Sequence, residues 1–175
     1  MILNTLGPTT TDCYHAISYV KSKIDEIRLY SSFDRMIENI DHLKGQYILM
    51  PLAFESSCRA YGWKDFNYEY YRRLNIVELF HAPIKEMVLV ENKPYKMDKA
   101  IIQPATQFLM LDYLSRRGIA SPIDFAPSKA KAKNQWEDKG YRFAIVSKDA
   151  LDDEDRKKIC ESYSPEMIWC LYEVK

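Results

Sequence analysis

With 175 residues the chain has room for one ordinary domain or two small lobes, and for a real apolar core. Its 25 basic residues are matched by 25 acidic ones, so no global field draws it to nucleic acid or to an anionic membrane. It has neither an apolar run of the length that spans a bilayer, about 18 residues, nor a basic start followed by an apolar stretch, and it reads as soluble and cytoplasmic. The four cysteines, Cys13, Cys58, Cys160 and Cys170, are scattered without a C-x-x-C pair, which speaks against a disulfide framework or zinc knuckle.

The chain opens with a short apolar run, Met1-Ile2-Leu3, suited to a buried strand. Gly7-Pro8 stops it, and Thr9-Thr10-Thr11 with Asp12 offer N-caps for a helix running to about Ser22. Strand, tight turn and hydroxyl-rich helix start make the recipe for an anion site, and equally for plain capping. Ile27 to Tyr30 is a strand candidate. Ser31 or Ser32 then caps a helix to about Leu43, with Phe33, Met36, Ile37, Ile40 and Leu43 at helical spacing. Tyr47-Ile48-Leu49-Met50 reads as a buried parallel strand closed by Pro51. Ala53 to Tyr71 is an irregular polar stretch, long for a loop, containing Glu55, Arg59, Tyr61 and Trp63.

Strands are expected over Asn75 to Phe80 and Met87 to Val90, with no helix between them. This break in the strand–helix alternation marks the crossing between two lobes, about 1–76 plus 160–175 and about 77–159. Alternation then resumes with strand Ala100 to Ile102, a cap at Thr106, helix Gln107 to Arg116, and Gly118 as its C′ residue. A brief strand over Ile123 to Phe125 leads to Ser128, which caps a helix from Lys129 to Lys139 ended by Gly140. Strand Phe143 to Val146, helix Asp152 to Tyr163 and strand Met167 to Val174 complete the chain. The pattern is α/β with mainly parallel pairing.

Leu6-Gly7-Pro8-x-x-Thr11, with His15-Ala16 behind it, resembles the opening L-G-P-x-G-T-x-S-x-x-A-A of the prephenate dehydratase family. Ile48 to Pro51 falls where that family has a strand ending in P-I-E-N-S. Gln103-Pro104-Ala105-Thr106-Gln107 falls at its H-P-Q-A-L helix start, and Pro127-Ser128-Lys129-Ala130 at its S-T-A-x-A-A. The resemblance implies a two-lobed, periplasmic-binding-protein type II-like fold with a ligand cleft between lobes, a small anionic substrate, no cofactor, no metal and a homodimer. No regulatory ACT domain is expected. Two departures point away from dehydration: E-N-S is replaced by Leu52-Ala53-Phe54-Glu55, and the terminal T-R-F is missing from Met167 to Tyr172. A third, Thr10 and Cys13 at a family glycine and serine, counts against the prephenate pocket itself, since the Thr10 Cβ stands where glycine allows close approach. The chain is most similar to the prephenate decarboxylase branch of bacilysin-type pathways, in its N-T-L-G-P opening, its Pro51-Leu52-Ala53-Phe54-Glu55 segment and Trp169.

That resemblance implies non-aromatising decarboxylation of prephenate or a similar cyclic dicarboxylate. Glu55 is the candidate proton donor, its aromatic neighbourhood suited to raising its pKa, and His15 a second one. Thr9, Thr10, Thr11 and Arg59 are candidate carboxylate contacts, with Thr106, Gln107, Ser128 and Lys129 as secondary ones. Each has an ordinary alternative as a cap, a surface charge or a packed side chain. Cys13, in a first helical turn, is a weaker candidate nucleophile with a lowered thiol pKa. Two other outcomes stay open: the same scaffold with a drifted substrate, and a non-catalytic small-carboxylate-binding protein.

Overall fold

The computed structural model describes residues 1–56 and 58–175 and divides into two compact units, Met1–Ile84 with Pro165–Lys175, and Lys85–Ser164. The change of unit falls later than positions 76 and 160. Strand β4 (Leu74–Pro83) keeps pairing with β10 (Glu166–Val174) as far as Pro83 opposite Glu166, which holds both segments in the first unit.

The first unit is a five-stranded sheet in the order β2-β1-β3-β10-β4. Strands β1 (Ile2–Leu6), β2 (Glu26–Tyr30) and β3 (Tyr47–Pro51) are parallel, while β10 runs antiparallel to both β3 and β4. In β1 even Asn4 and Thr5 are buried. Their side chains donate to the Tyr47 and Leu49 carbonyls at 3.0 and 2.8 Å, which satisfies those buried donors. Helix α1 (Asp12–Ala16) is one short turn followed by a 3-10 turn over Ile17–Tyr19, not a helix to Ser22. Ser18 Oγ donates back to the His15 carbonyl, and that local bond competes with helical continuation. In α2 (Phe33–Glu38), capped by Ser32, the apolar stripe enters the core through Phe33, Met36 and Ile37.

The polar stretch after β3 contains a helix, α3 (Trp63–Glu69), which packs Phe66 edge-on against Tyr172 of β10 at 5.6 Å. Its signal is Asp65 in the first turn, whose Oδ2 accepts from the Gly62 amide at 2.9 Å.

The second unit has the order β7-β6-β8-β5-β9. Strand β6 (Met97–Ile102) is parallel to β7 (Ile123–Phe125) and β8 (Tyr141–Ser147), whereas β5 (Met87–Glu91) is antiparallel to β8 and β9 (Ile159–Tyr163). Both sheets are therefore mixed, not mainly parallel. The helix expected over Asp152 to Tyr163 is four residues long, α6 (Asp153–Arg156), and the rest is β9. Met87 to Val90 are buried on both faces of β5, and pairing that core strand on its open side outweighs the helical tendency of the segment. The two faces of β8 are covered separately. Ala144 and Val146 join Trp136 of α5 (Lys129–Lys139), while Phe143 meets Tyr113 of α4 (Gln107–Arg117) edge-on at 6.0 Å. Gly118 and Gly140 end these helices with φ of 62° and 69°, left-handed values that glycine adopts without a Cβ clash.

Candidate functional site

In open α/β sheets ligands gather beyond the carboxyl ends of the strands. In the first unit the ends of the parallel β1 and β3 carry the Gly7–Thr11 turn and the Leu52–Glu55 segment. Gly7 is required there. A Cβ at its position would lie 2.8 Å from Leu29 Cβ of β2, whose backbone the Gly7 amide also engages through the Tyr30 carbonyl at 2.9 Å.

The Thr11 hydroxyl accepts from the Tyr14 amide and shares its proton between the Leu6 and Pro8 carbonyls, so its bonding capacity goes into folding the turn. Thr9 and Thr10 are exposed. His15 is half-buried, with its ring edge-on to Tyr19 at 5.8 Å. Burial pushes the Cys13 thiol up to about 12, with the Asp12 charge adding to it. Cys13 is thus no activated nucleophile: desolvation of the thiolate outweighs any benefit from the helix start.

The loop after β3 is built around an open pocket of about 600 Å³, lined among others by Glu55, Arg59, Tyr61 and Trp63. An isolated antiparallel bridge between Glu55 and Gly62 closes the loop, with the Ser56 amide on the Tyr61 carbonyl at 2.8 Å and the Trp63 amide on that of Phe54 at 3.0 Å. Ser56 Oγ accepts from the Cys58 and Arg59 amides and donates to Asp34 Oδ1 of α2 at 2.7 Å. The guanidinium of Arg59 lies over the Tyr61 ring, 3.7 Å from its centroid. Tyr61 in turn donates to Glu69 Oε2 at 2.6 Å; burial, and then this bond, raise its phenol above the ordinary range. Glu55 and Arg59 are both exposed, and neither meets an opposite charge among the described residues.

In the second unit the secondary candidates lie past the ends of the parallel β6 and β7. Thr106 does not cap α4. It is 4 % exposed, and its hydroxyl donates back to the Gln103 carbonyl at 2.8 Å. Gln107 is exposed in the first turn of α4. Ser128 caps α5 by accepting from the Lys131 amide at 3.2 Å, and Lys129 is half-buried beside it. The structure therefore gathers Glu55 and Arg59 in one pocket, keeps Thr9, Thr10 and Thr11 on the turn after β1, and places Thr106 and Gln107 past the end of β6 and Ser128 and Lys129 past the end of β7 in the other unit. The arrangement of Tyr61 with Glu69 has no regular spacing by which sequence reasoning finds it.

Among the described residues no three His, Cys, Asp or Glu side chains cluster as metal ligands, and no helix is long and apolar enough to cross a membrane.

Neither a protein-family model nor a curated protein matches this chain. Solved structures do. The chain is similar to a prephenate dehydratase from Staphylococcus aureus subsp. aureus Mu50, with a TM-score of 0.62, 13% identity, and 99% of this chain covering 66% of that one. It is similar to a prephenate dehydratase from Arthrobacter aurescens in complex with L-Phe, with a TM-score of 0.63 and 14% identity, all of this chain covering 60% of that one. An ABC transporter protein from Parabacteroides distasonis follows at 0.56 and 12%, with 99% of this chain covering 65% of that one. The chain thus spans about two thirds or less of their length. These likenesses show the fold: two mixed α/β units of the periplasmic-binding-protein type II-like class.

Proposed function

We propose that this chain is a cofactor-independent carboxy-lyase that decarboxylates prephenate, or a similar cyclic dicarboxylate, without aromatising it. The observation that carries the reading is the pocket after β3, where an uncompensated arginine and a carboxylic acid share one open, aromatic-walled depression. The prephenate dehydratases among the structural neighbours supply the substrate class. The departures in β10 support decarboxylation over dehydration: the positions of the T-R-F motif fall within Met167 to Tyr172, where Trp169, Cys170, Leu171 and Tyr172 are buried packing residues.

Arg59 holds one carboxylate in a two-pronged hydrogen bond. The bond from the ring to the other carboxylate breaks, CO2 leaves, and the electron pair moves into the ring diene. A ring carbon then takes a proton from Glu55, while the ring hydroxyl stays in place. Thr9, Thr10 and Thr11 are proposed as further carboxylate contacts, His15 as a second proton donor, and Thr106, Gln107, Ser128 and Lys129 as secondary anion contacts of their own unit.

The exposure of Glu55 favours one alternative, a protein that binds a small carboxylate without transforming it. Incubation with prephenate at neutral pH, followed by NMR and absorbance against an enzyme-free control, separates the readings. A non-aromatic dihydro product, formed about 100-fold more slowly by Glu55→Gln, supports decarboxylation with Glu55 as proton donor. Phenylpyruvate above the control means dehydration. Binding without turnover means a receptor.

A further inference from the structure

Arg28, Arg35, Arg73, Arg116, Arg142 and Arg156 each meet a carboxylate within 4.0 Å. Arg59 meets a ring instead, as do Arg72 over Tyr71 and Arg117 over Tyr113, and of these three Arg59 is the one that lines the pocket. We propose that Tyr61 and Glu69 are positioning residues that hold the Arg59 guanidinium as a preset fork for one carboxylate of the ligand. The inference rests on the reading above, that this pocket takes a carboxylate.

A surface arginine carries substantial rotamer entropy, much of which is lost when it grips a ligand. Stacking on Tyr61 removes part of that freedom beforehand, so less is lost on binding. The stack uses the flat face of the guanidinium and leaves its N–H edge for the ligand. Glu69 strengthens the arrangement by accepting the Tyr61 proton at 2.6 Å, which fixes the ring and raises the electron density under the cation. The backbone is held from the other side, where Ser56 ties the Cys58 and Arg59 amides to Asp34 of α2. Ring, carboxylate and turn thus converge on one side chain from α3, α2 and the bridge.

The test follows the Arg59 side chain by NMR while the wild-type chain is titrated first with sodium benzoate, then with prephenate. In the free protein the Arg59 δ-protons are expected upfield, under the Tyr61 ring current, and back at ordinary positions in Tyr61→Leu. Both carboxylates are expected to shift the Arg59 Nε–H resonance. Affinity should weaken about tenfold in Tyr61→Leu and about threefold in Tyr61→Phe and Glu69→Gln, the scale of a stacked cation and of one hydrogen bond. With prephenate the loss in Tyr61→Phe and Glu69→Gln, which keep the aromatic wall, should fall on KM and leave kcat unchanged. Should Tyr61→Leu fail to fold, Tyr61→Phe and Glu69→Gln keep the ring and carry the test. Wild-type upfield shifts and affinities in all three variants overturn the proposal, as does an Arg59 resonance that answers neither carboxylate. Benzoate binding at Arg59 without prephenate turnover leaves the proposal standing and removes the lyase reading.

Discussion

Gly62→Ala tests whether the loop bridge holds the candidate pocket together. Gly62 has φ −137° and ψ −168°, an extended conformation open to any residue, so the substitution carries no backbone strain. The obstacle is steric: a Cβ there would sit 2.9 Å from the Phe54 carbonyl oxygen, a backbone atom that cannot swing aside. That oxygen already accepts the Trp63 amide at 3.0 Å, and the adjacent Ser56–Tyr61 pair depends on the same register. Losing both hydrogen bonds costs about 2 kcal/mol at ~1 kcal/mol each. The stiffer unfolded chain returns roughly 0.4–1 kcal/mol. A net loss of about 1–2 kcal/mol lowers the melting temperature by roughly 2–8 °C in a chain of this size. Arg59 moves with the loop, so prephenate or benzoate affinity should fall as well. Gly45→Ala is the control, since nothing lies within 4 Å and the cost comes only from its φ of 75°. It should lower the melting temperature by a few degrees and leave carboxylate binding intact. Calorimetry and titration finding Gly62→Ala as stable and as tight as the parent chain would refute the reasoning.

Trp136→Ala removes a side chain with no solvent exposure from the core of the second unit and should cost about 3–5 kcal/mol, read as a lower urea midpoint. A shift under a quarter of that would mean the α5 face is loosely packed. Iodoacetamide at neutral pH should label the exposed Cys58 and Cys160 within minutes and spare the buried Cys13 and Cys170, as mass spectrometry can count. Burial raises those two thiols from 9.0 to about 12 and about 11, so above pH 9 the unfolded chain loses protons that the folded chain keeps. Stability contributed by this difference is full below pH 9 and falls as pH rises toward 12, and Cys13→Ala should flatten that alkaline slope in urea titrations.

Periodicity and punctuation made much of the fold legible. Ser32 and Ser128 cap α2 and α5, and Gly118 and Gly140 end α4 and α5. Pairing direction was not legible, because a strand such as Met87 to Val90, buried on both faces, reads the same beside a parallel or an antiparallel neighbour. Strand β9 was hidden for a related reason: Ile159 to Tyr163 becomes a strand only because β5 offers it an open edge. The candidate site divides along the same line. Glu55 and Arg59 stand out as two charged residues just after a buried strand, but Tyr61 and Glu69 are joined only by the bridge at Gly62 and the turn into α3.

The choice between losing hydroxide and losing CO2 turns on what each asks of the protein. Hydroxide departure needs a donor poised at the ring oxygen, and in β10 the hydroxyl between Met167 and Val174 belongs to Tyr172. That phenol is buried, raised above its ordinary range by desolvation, and donates to Asn67 Oδ1 of α3 at 3.2 Å. It serves the packing of α3 on the sheet. Decarboxylation asks instead for one carboxylate to be gripped, for the other to leave water, and for a proton to arrive at carbon. In the reaction proposed above, Arg59 on its aromatic seat would meet the first demand, and the walls formed by Tyr61 and Trp63 would exclude water once a ligand fills the opening. In the same proposal the third would fall to Glu55, which is exposed in the free protein and lines the pocket that the ring would fill.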